Sequence, residues 1–276
     1  MKTHRLAMAV LLLVTIGKCA AAQGAYTLSR TDIVPVTAGN QSYRVSIALP
    51  AAHDSANGRF PVVYLLDGDW YFGLTVSTLR LLEAVGECPP AIIVAIGYGG
   101  DVAEQRRRRI QEFTPVREER LAGSGQAAAF LERLRATIIP LIESRYRAST
   151  DRTLVGHSLG GLFATYASLH APGLFKRVVI GSPALWSSTD ALREELLKRR
   201  GAALPDRVFL AVASGDGPVV REGYDALHTW LKGTQPPLRW VAEEFPNLTH
   251  QSVVPALVAR ALPWILAEPQ QPPSLR

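Results

Sequence analysis

The fold follows from the segment Thr153-Leu154-Val155-Gly156-His157-Ser158-Leu159-Gly160-Gly161-Leu162-Phe163-Ala164-Thr165-Tyr166. Its apolar opening reads as a strand and its close as a helix, with the G-x-S-x-G pattern of a nucleophile elbow between them. Glycines flank the serine because a Cβ at either position would collide with neighbouring backbone in so tight a turn. The turn lifts the Ser158 hydroxyl above the sheet at the helix N-terminus. There the Leu159 N–H can stabilise a developing oxyanion.

Reading outward, strand-like and helix-like segments alternate. After the elbow helix (Leu159–His170) come Arg177–Gly181 (strand), Asp190–Arg200 (helix) and Arg207–Ala213 (strand). Gly223–Lys232 (helix), Leu238–Glu243 (strand) and Ser252–Leu266 (helix) follow. Before the elbow, Phe60–Leu66 and Ala91–Ile96 are short apolar runs expected of strands buried on both faces, and Arg44–Leu49 alternates as an edge or antiparallel strand would. Gln126–Tyr146 has helical spacing interrupted by Pro140, which predicts a kink or division. Gly97–Gly125, with arginines at 106 to 109, reads as a long loop, either functional or disordered. Such alternation predicts an α/β fold, a mostly parallel central sheet flanked by helices in a single domain over residues 23–268.

A serine hydroxyl needs a base. In a fold with this elbow the triad runs Ser, then Asp or Glu, then His along the chain. Of His170, His228 and His250, only His250 follows the last predicted strand, so it is the expected base. Asp216, after the strand Arg207–Ala213, leads for the acid, with Glu222 and Asp225 in reserve and a dyad also open. The loop after Phe60–Leu66 reads Asp67-Gly68-Asp69-Trp70-Tyr71. Gly68 is expected to allow an unusual turn and the Asp69 N–H to be the second oxyanion donor.

The two ends are of different character. Lys2, His4 and Arg5, the apolar run Leu6–Ile16 and Ala20-Ala21-Ala22 follow the secretory-signal layout, so residues 1–22 are expected to be a signal peptide cleaved near Ala22. The tail at 269–276, rich in proline and glutamine, is expected to be flexible. Cleavage would remove three of the 30 basic residues and lower the formal charge from +6 to +3, which weakens any nucleic-acid reading. It would also remove Cys19 and leave Cys88 without a partner for an internal disulfide. A periplasmic or secreted protein with no lasting membrane anchor is expected.

Several segments together resemble the putative-esterase family of α/β-hydrolases. They are Tyr64-Leu65-Leu66-Asp67-Gly68, Gly156–Phe163, Ser182-Pro183-Ala184-Leu185-Trp186 and Thr249-His250-Gln251-Ser252-Val253-Val254. Within that family the chain looks most like periplasmic siderophore esterases that cleave catecholate trilactones such as enterobactin and salmochelin. Arg109…Phe113-Thr114-Pro115 resembles the Arg…Tyr-Thr-Pro loop found there. The chain departs where many relatives carry a glutamate after the strand equivalent to Arg207–Ala213, having Gly215-Asp216-Gly217-Pro218 instead. The resemblance implies an ester substrate, a ferric catecholate siderophore among the candidates, with Arg109, Trp70, Trp186 and Gly68 as binding residues. It implies no cofactor and no protein-bound metal; any iron would belong to the substrate. A general carboxylesterase or S-acyl esterase, and a catalytically silent ligand-binding protein, are the competing expectations.

Overall fold

The computed structural model describes residues 27–55, 57–185, 194, 205–234 and 238–267. The expected leader and tail, Trp186, and the expected helix Asp190–Arg200 apart from Glu194 lie outside the described residues.

Eight strands are described: β1 (Thr31–Ala38), β2 (Gln41–Ala48), β3 (Phe60–Leu65), β4 (Ile92–Gly97), β5 (Ala148–His157), β6 (Arg177–Gly181), β7 (Arg207–Ala213) and β8 (Arg239–Phe245). They form one sheet in the order β1-β2-β4-β3-β5-β6-β7-β8. The pairings β1–β2 and β2–β4 are antiparallel, and all others are parallel. Position in the sheet explains the burial patterns. β1 alternates buried Val34, Val36 and Ala38 with exposed neighbours, as an edge strand does, whereas every residue of β4 and β7 is buried.

Helices cover both faces. α1 (Gly68–Ala84) and α7 (Val253–Leu266) pack on one, where Val76, Leu79, Leu257 and Leu262 meet Val63, Ile93 and Phe209. The other face carries α2 (Val102–Phe113), α3 (Ala127–Arg133), α4 (Ile139–Arg145), α5 (Leu159–His170) and α6 (Pro218–Lys232). Its centre is a cluster of Phe113, Phe130 and Phe163, with ring centroids 4.8 to 5.8 Å apart. No helix among the described residues is long and apolar enough to cross a membrane.

The strand β1 and the helices α1 and α2 were not expected, and α6 begins at Pro218 where the sequence reading began a helix at Gly223. α2 occupies the segment read as a long loop. Asp101 caps it by accepting from the Glu104 N–H at 2.8 Å. The residues it buries include Arg108 and Glu112, so an apolar period could not reveal it. The two charges answer each other: Glu112 accepts from Arg108 at 3.2 Å and from the Tyr43 hydroxyl at 2.8 Å. α1 follows β3 where the sequence reading expected an unusual turn and no helix; its residues are mostly half-exposed or exposed, with Leu81 65% exposed, which blurs its helical stripe. Between α3 and α4 a π-helical turn, Leu134–Ile138, absorbs the missing N–H of Pro140 in the first turn of α4.

Candidate active site

Ser158 has φ 60° and ψ −120°, a strained conformation for a residue bearing a Cβ. Its N–H donates to Gly181 O at 2.9 Å, and its carbonyl accepts from Leu162 and Ala184, each at 3.0 Å. Neighbours on both sides thus hold the strained backbone. From Thr153 to Ala167 it is the one residue that is not buried. The elbow therefore presents a single side chain to the outside.

Glycines make this possible. A Cβ on Gly156 would lie 2.1 Å from Gly160 O, and one on Gly161 would lie 3.0 Å from Gly181 O. The expected collision at Gly160 is not found, since a Cβ there would come no nearer than 3.4 Å to Asp67 Oδ2. Replacing Gly156 by alanine is expected to cost ~4 kcal/mol or more, because the clash is with backbone that cannot move without opening the elbow. Urea unfolding of Gly156→Ala checks this, and a loss under about 1 kcal/mol would contradict the geometry.

The loops after β7 and β8 are zipped together. Ser214 N–H donates to Phe245 O and Gly215 N–H to Leu248 O, both at 2.9 Å, and Asn247 N–H donates to the Ser214 hydroxyl at 2.8 Å. The approach is so close that a Cβ on Gly215 would lie 2.8 Å from Leu248 O. The result is that Asp216 Oδ1 meets His250 Nδ1 at 2.5 Å. Asp216 Oδ2 accepts from the Ser182 hydroxyl at 2.6 Å and from Ala213 N–H at 2.9 Å. The Asp216 side chain is fully buried and that of His250 is 31% exposed. Burial by itself would raise the Asp216 carboxyl. The hydrogen bonds from Ser182, Ala213 and His250 outweigh it and hold the group below the usual carboxylate range.

The reserve acids Glu222 and Asp225 are exposed on α6. His170 instead bonds its own helix at Tyr166 O, 3.0 Å away, and His228 packs between Tyr224 and Trp240. Ser182, quoted above only as part of a family segment, is a contributor the sequence reading left without a role. Its φ of 40°, invisible in the sequence, aims a buried hydroxyl at Asp216.

His157 is the second imidazole here, its ring centroid 4.6 Å from that of His250. Burial pushes it down to about 3, aided by the nearby His250 imidazole and the positive charge of Arg109. It is therefore neutral in the folded protein and takes up a proton near its ordinary 6.5 once unfolded. Between those values the unfolded state binds more protons, so stability from this site is complete above about 6.5 and lost as pH falls toward 3. Thermal melts should show His157→Phe losing less stability than the parent across that window. Parallel curves would contradict a buried neutral imidazole.

The turn after β3 corrects the expectation for Gly68. The left-handed residue is Asp67, with φ 54°. Gly68 is required for close approach, since a Cβ there would lie 2.8 Å from Ala95 C. Packed against β4 in this way, it does not line the cleft described below. Asp69 turns its carboxylate onto the Tyr98 N–H at 2.6 Å, tying the start of α1 to the end of β4. The N–H groups of Trp70 and Tyr71 both donate to Asp67 O, while those of Asp69 and Leu159 have no acceptor among the described residues. Asp67 also lies over the elbow, with Oδ2 3.4 Å from where a Gly160 Cβ would be.

A cleft of about 600 Å³ opens beside the elbow, reaching from Leu159 and Gln251, the neighbours of Ser158 and His250, to Trp70, Arg106 and Arg109. Arg109 is mostly buried and makes a bidentate ion pair with Asp67, at 2.8 and 2.9 Å. Its guanidinium lies 5.3 Å from the centroid of Trp70, whose indole N–H is fixed on Gln105 at 2.8 Å. Arg109 thus lines the cleft with its charge already matched. No group of three His, Cys, Asp or Glu side chains among the described residues is placed to hold a metal ion.

A family model described as "Putative esterase" matches residues 37–232. The chain is 30% identical to the ferri-bacillibactin esterase BesA of Bacillus subtilis, over 88% of this chain and 91% of that protein. It is 31% identical to the apo-salmochelin esterase of Escherichia coli, over 60% of this chain and 54% of that one. A crystal structure of the BES protein from Bacillus cereus superposes with a TM-score of 0.80 at 26% identity, covering 89% of this chain and 98% of that one. The chain therefore belongs to the Putative esterase family, has the α/β-hydrolase fold, and is a carboxylic ester hydrolase.

Proposed function

We propose that this protein is a serine esterase acting through an acyl-enzyme, that it opens the trilactone of a catecholate siderophore, and that it works in the periplasm or outside the cell after cleavage near Ala22. The observation that carries the reading is the pairing of buried Asp216 with His250, whose ring lies 4.6 Å from that of His157, the residue preceding the strained Ser158. Leu159 and Gln251, next to Ser158 and His250, line a cleft walled by tryptophan and arginine. The names of two relatives, a ferri-bacillibactin esterase and an apo-salmochelin esterase, support the choice of substrate.

With Nδ1 donating to Asp216, His250 has Nε2 as its acceptor. Nε2 takes the Ser158 proton as Oγ bonds to the ester carbonyl carbon, and the carbonyl oxygen becomes an oxyanion. The unengaged N–H groups of Leu159 and Asp69 receive that charge, aided by the N-terminus of α5. The tetrahedral adduct collapses, the ester C–O bond breaks, and His250 returns the proton to the leaving alkoxide. Water then repeats the sequence: His250 takes its proton, hydroxide adds to the acyl carbon, and Ser158 leaves with the proton restored. Every proton removed is returned, so no cofactor enters the balance.

A fluorophosphonate probe, which needs an activated serine, tests the nucleophile. Peptide mapping is expected to find the adduct on Ser158, with labelling slowed at least ~100-fold in His250→Ala. Labelling elsewhere, or none, would remove the acyl-enzyme from the account.

A further inference from the structure

We propose that Arg106 is a specificity-determining residue that makes this enzyme select the iron-loaded siderophore over the iron-free one. The inference rests on the substrate reading given above and concerns the charge state within that class.

The starting point is the charge on the cleft wall. Arg106 and Arg109 stand one turn apart on α2 and both line the cleft. Asp67 matches Arg109 bidentately. Arg107, between them, is held by Glu104 at 2.8 Å outside the cleft. Arg108 is buried with Glu112. Arg106 is exposed and has no carboxylate partner among the described residues. The other described residues lining the cleft are Trp70, Val102, Ile110, Leu121, Leu159 and Gln251, all uncharged. The wall therefore carries one uncompensated positive charge, next to a tryptophan that is 37% exposed.

That arrangement discriminates between two forms of one molecule. Catechol hydroxyls are protonated at neutral pH, so an iron-free tris-catechol trilactone is uncharged. Three doubly deprotonated catecholates around one ferric ion make a trianion with aromatic faces. A free guanidinium is attracted to the trianion and gains little from the neutral form. Trp70 offers its face to the rings in either form, so the aromatic contact does not separate them. The two relatives named above are called a ferri- and an apo-siderophore esterase, so the choice divides proteins similar to this one.

The experiment compares kcat/KM on ferric and iron-free enterobactin for the parent, Arg106→Gln and Arg106→Lys, with a thermal melt of each as a folding control. The parent is expected to favour the ferric form. In Arg106→Gln the ferric-to-iron-free ratio should fall about tenfold, a change of about 1.4 kcal/mol, mainly through KM. Arg106→Lys, which keeps the charge, should stay within about threefold of the parent's ratio. Added salt should lower the ratio for the parent and leave that of Arg106→Gln nearly flat, because an exposed charge is screened. A parent that favours the iron-free form, or a ratio unmoved in Arg106→Gln, overturns the role of Arg106 while leaving the siderophore reading in place. If the parent cleaves a p-nitrophenyl ester but neither form of enterobactin, the substrate reading fails and this inference falls with it.

Discussion

Replacing Ser158 by alanine is expected to lower kcat on a p-nitrophenyl ester by about a millionfold, and adding His250→Ala to that variant should cost little more. The non-additivity follows from the chemistry. His250 has no proton to take once the hydroxyl is gone, and the hydroxyl is a weak nucleophile once the base is gone. What survives in each variant is whatever binding and the N–H groups of Leu159 and Asp69 provide. Ser158→Ala retains the Cβ and its strained backbone, whose hydrogen bonds to Gly181, Leu162 and Ala184 involve main-chain atoms alone. The variant should therefore fold normally. Steady-state kinetics on the single and double variants measures this; losses that multiply would show that serine and histidine do not act as a unit.

The second large effect is at Asp216. Asparagine preserves the shape, and the hydrogen bonds from Ser182 and Ala213 to Oδ2 would hold the amide oxygen on their side. That places the amide NH₂ against His250 Nδ1, now 2.5 Å from Oδ1. Two donors cannot share that contact, so the imidazole must carry its proton on Nε2. A protonated Nε2 cannot accept from Ser158. Asp216→Asn is expected to lower kcat about 10⁴-fold with a smaller change in KM. Activity within tenfold of the parent would remove Asp216 from the site and leave a Ser158–His250 dyad.

The parallel part of the sheet was legible because its strands are apolar runs separated by helical patterns, and β6, β7 and α5 have the bounds read from the sequence, whereas the alternating edge strand β1 was not read. The elbow was legible for a different reason, since glycine and serine at fixed spacing encode a backbone that little else can adopt. Where the reading failed, the stabilising contacts are polar and distant in sequence. α2 is held by an aspartate cap and by a buried arginine–glutamate pair, neither of which produces an apolar stripe. The roles of the arginine run differ for the same reason: Asp67 lies 42 residues from Arg109, and no local pattern predicts their pairing. Ser182 was hidden because its left-handed backbone, permitted by neighbours in β7, is what directs its hydroxyl. Asp216 was chosen by chain order among several acids. Its contact with His250 depends on the zipped loops around Gly215, which only the folded chain displays.

Incubating the protein with ferric and iron-free enterobactin and following the products by mass spectrometry, with Ser158→Ala in parallel, decides whether Ser158 opens a siderophore trilactone. The account predicts ring-opened and shorter catechol–serine products from the parent, faster from the ferric form, and none from Ser158→Ala. Intact trilactone alongside Ser158-dependent turnover of a p-nitrophenyl ester would contradict it, leaving a serine esterase for some other ester.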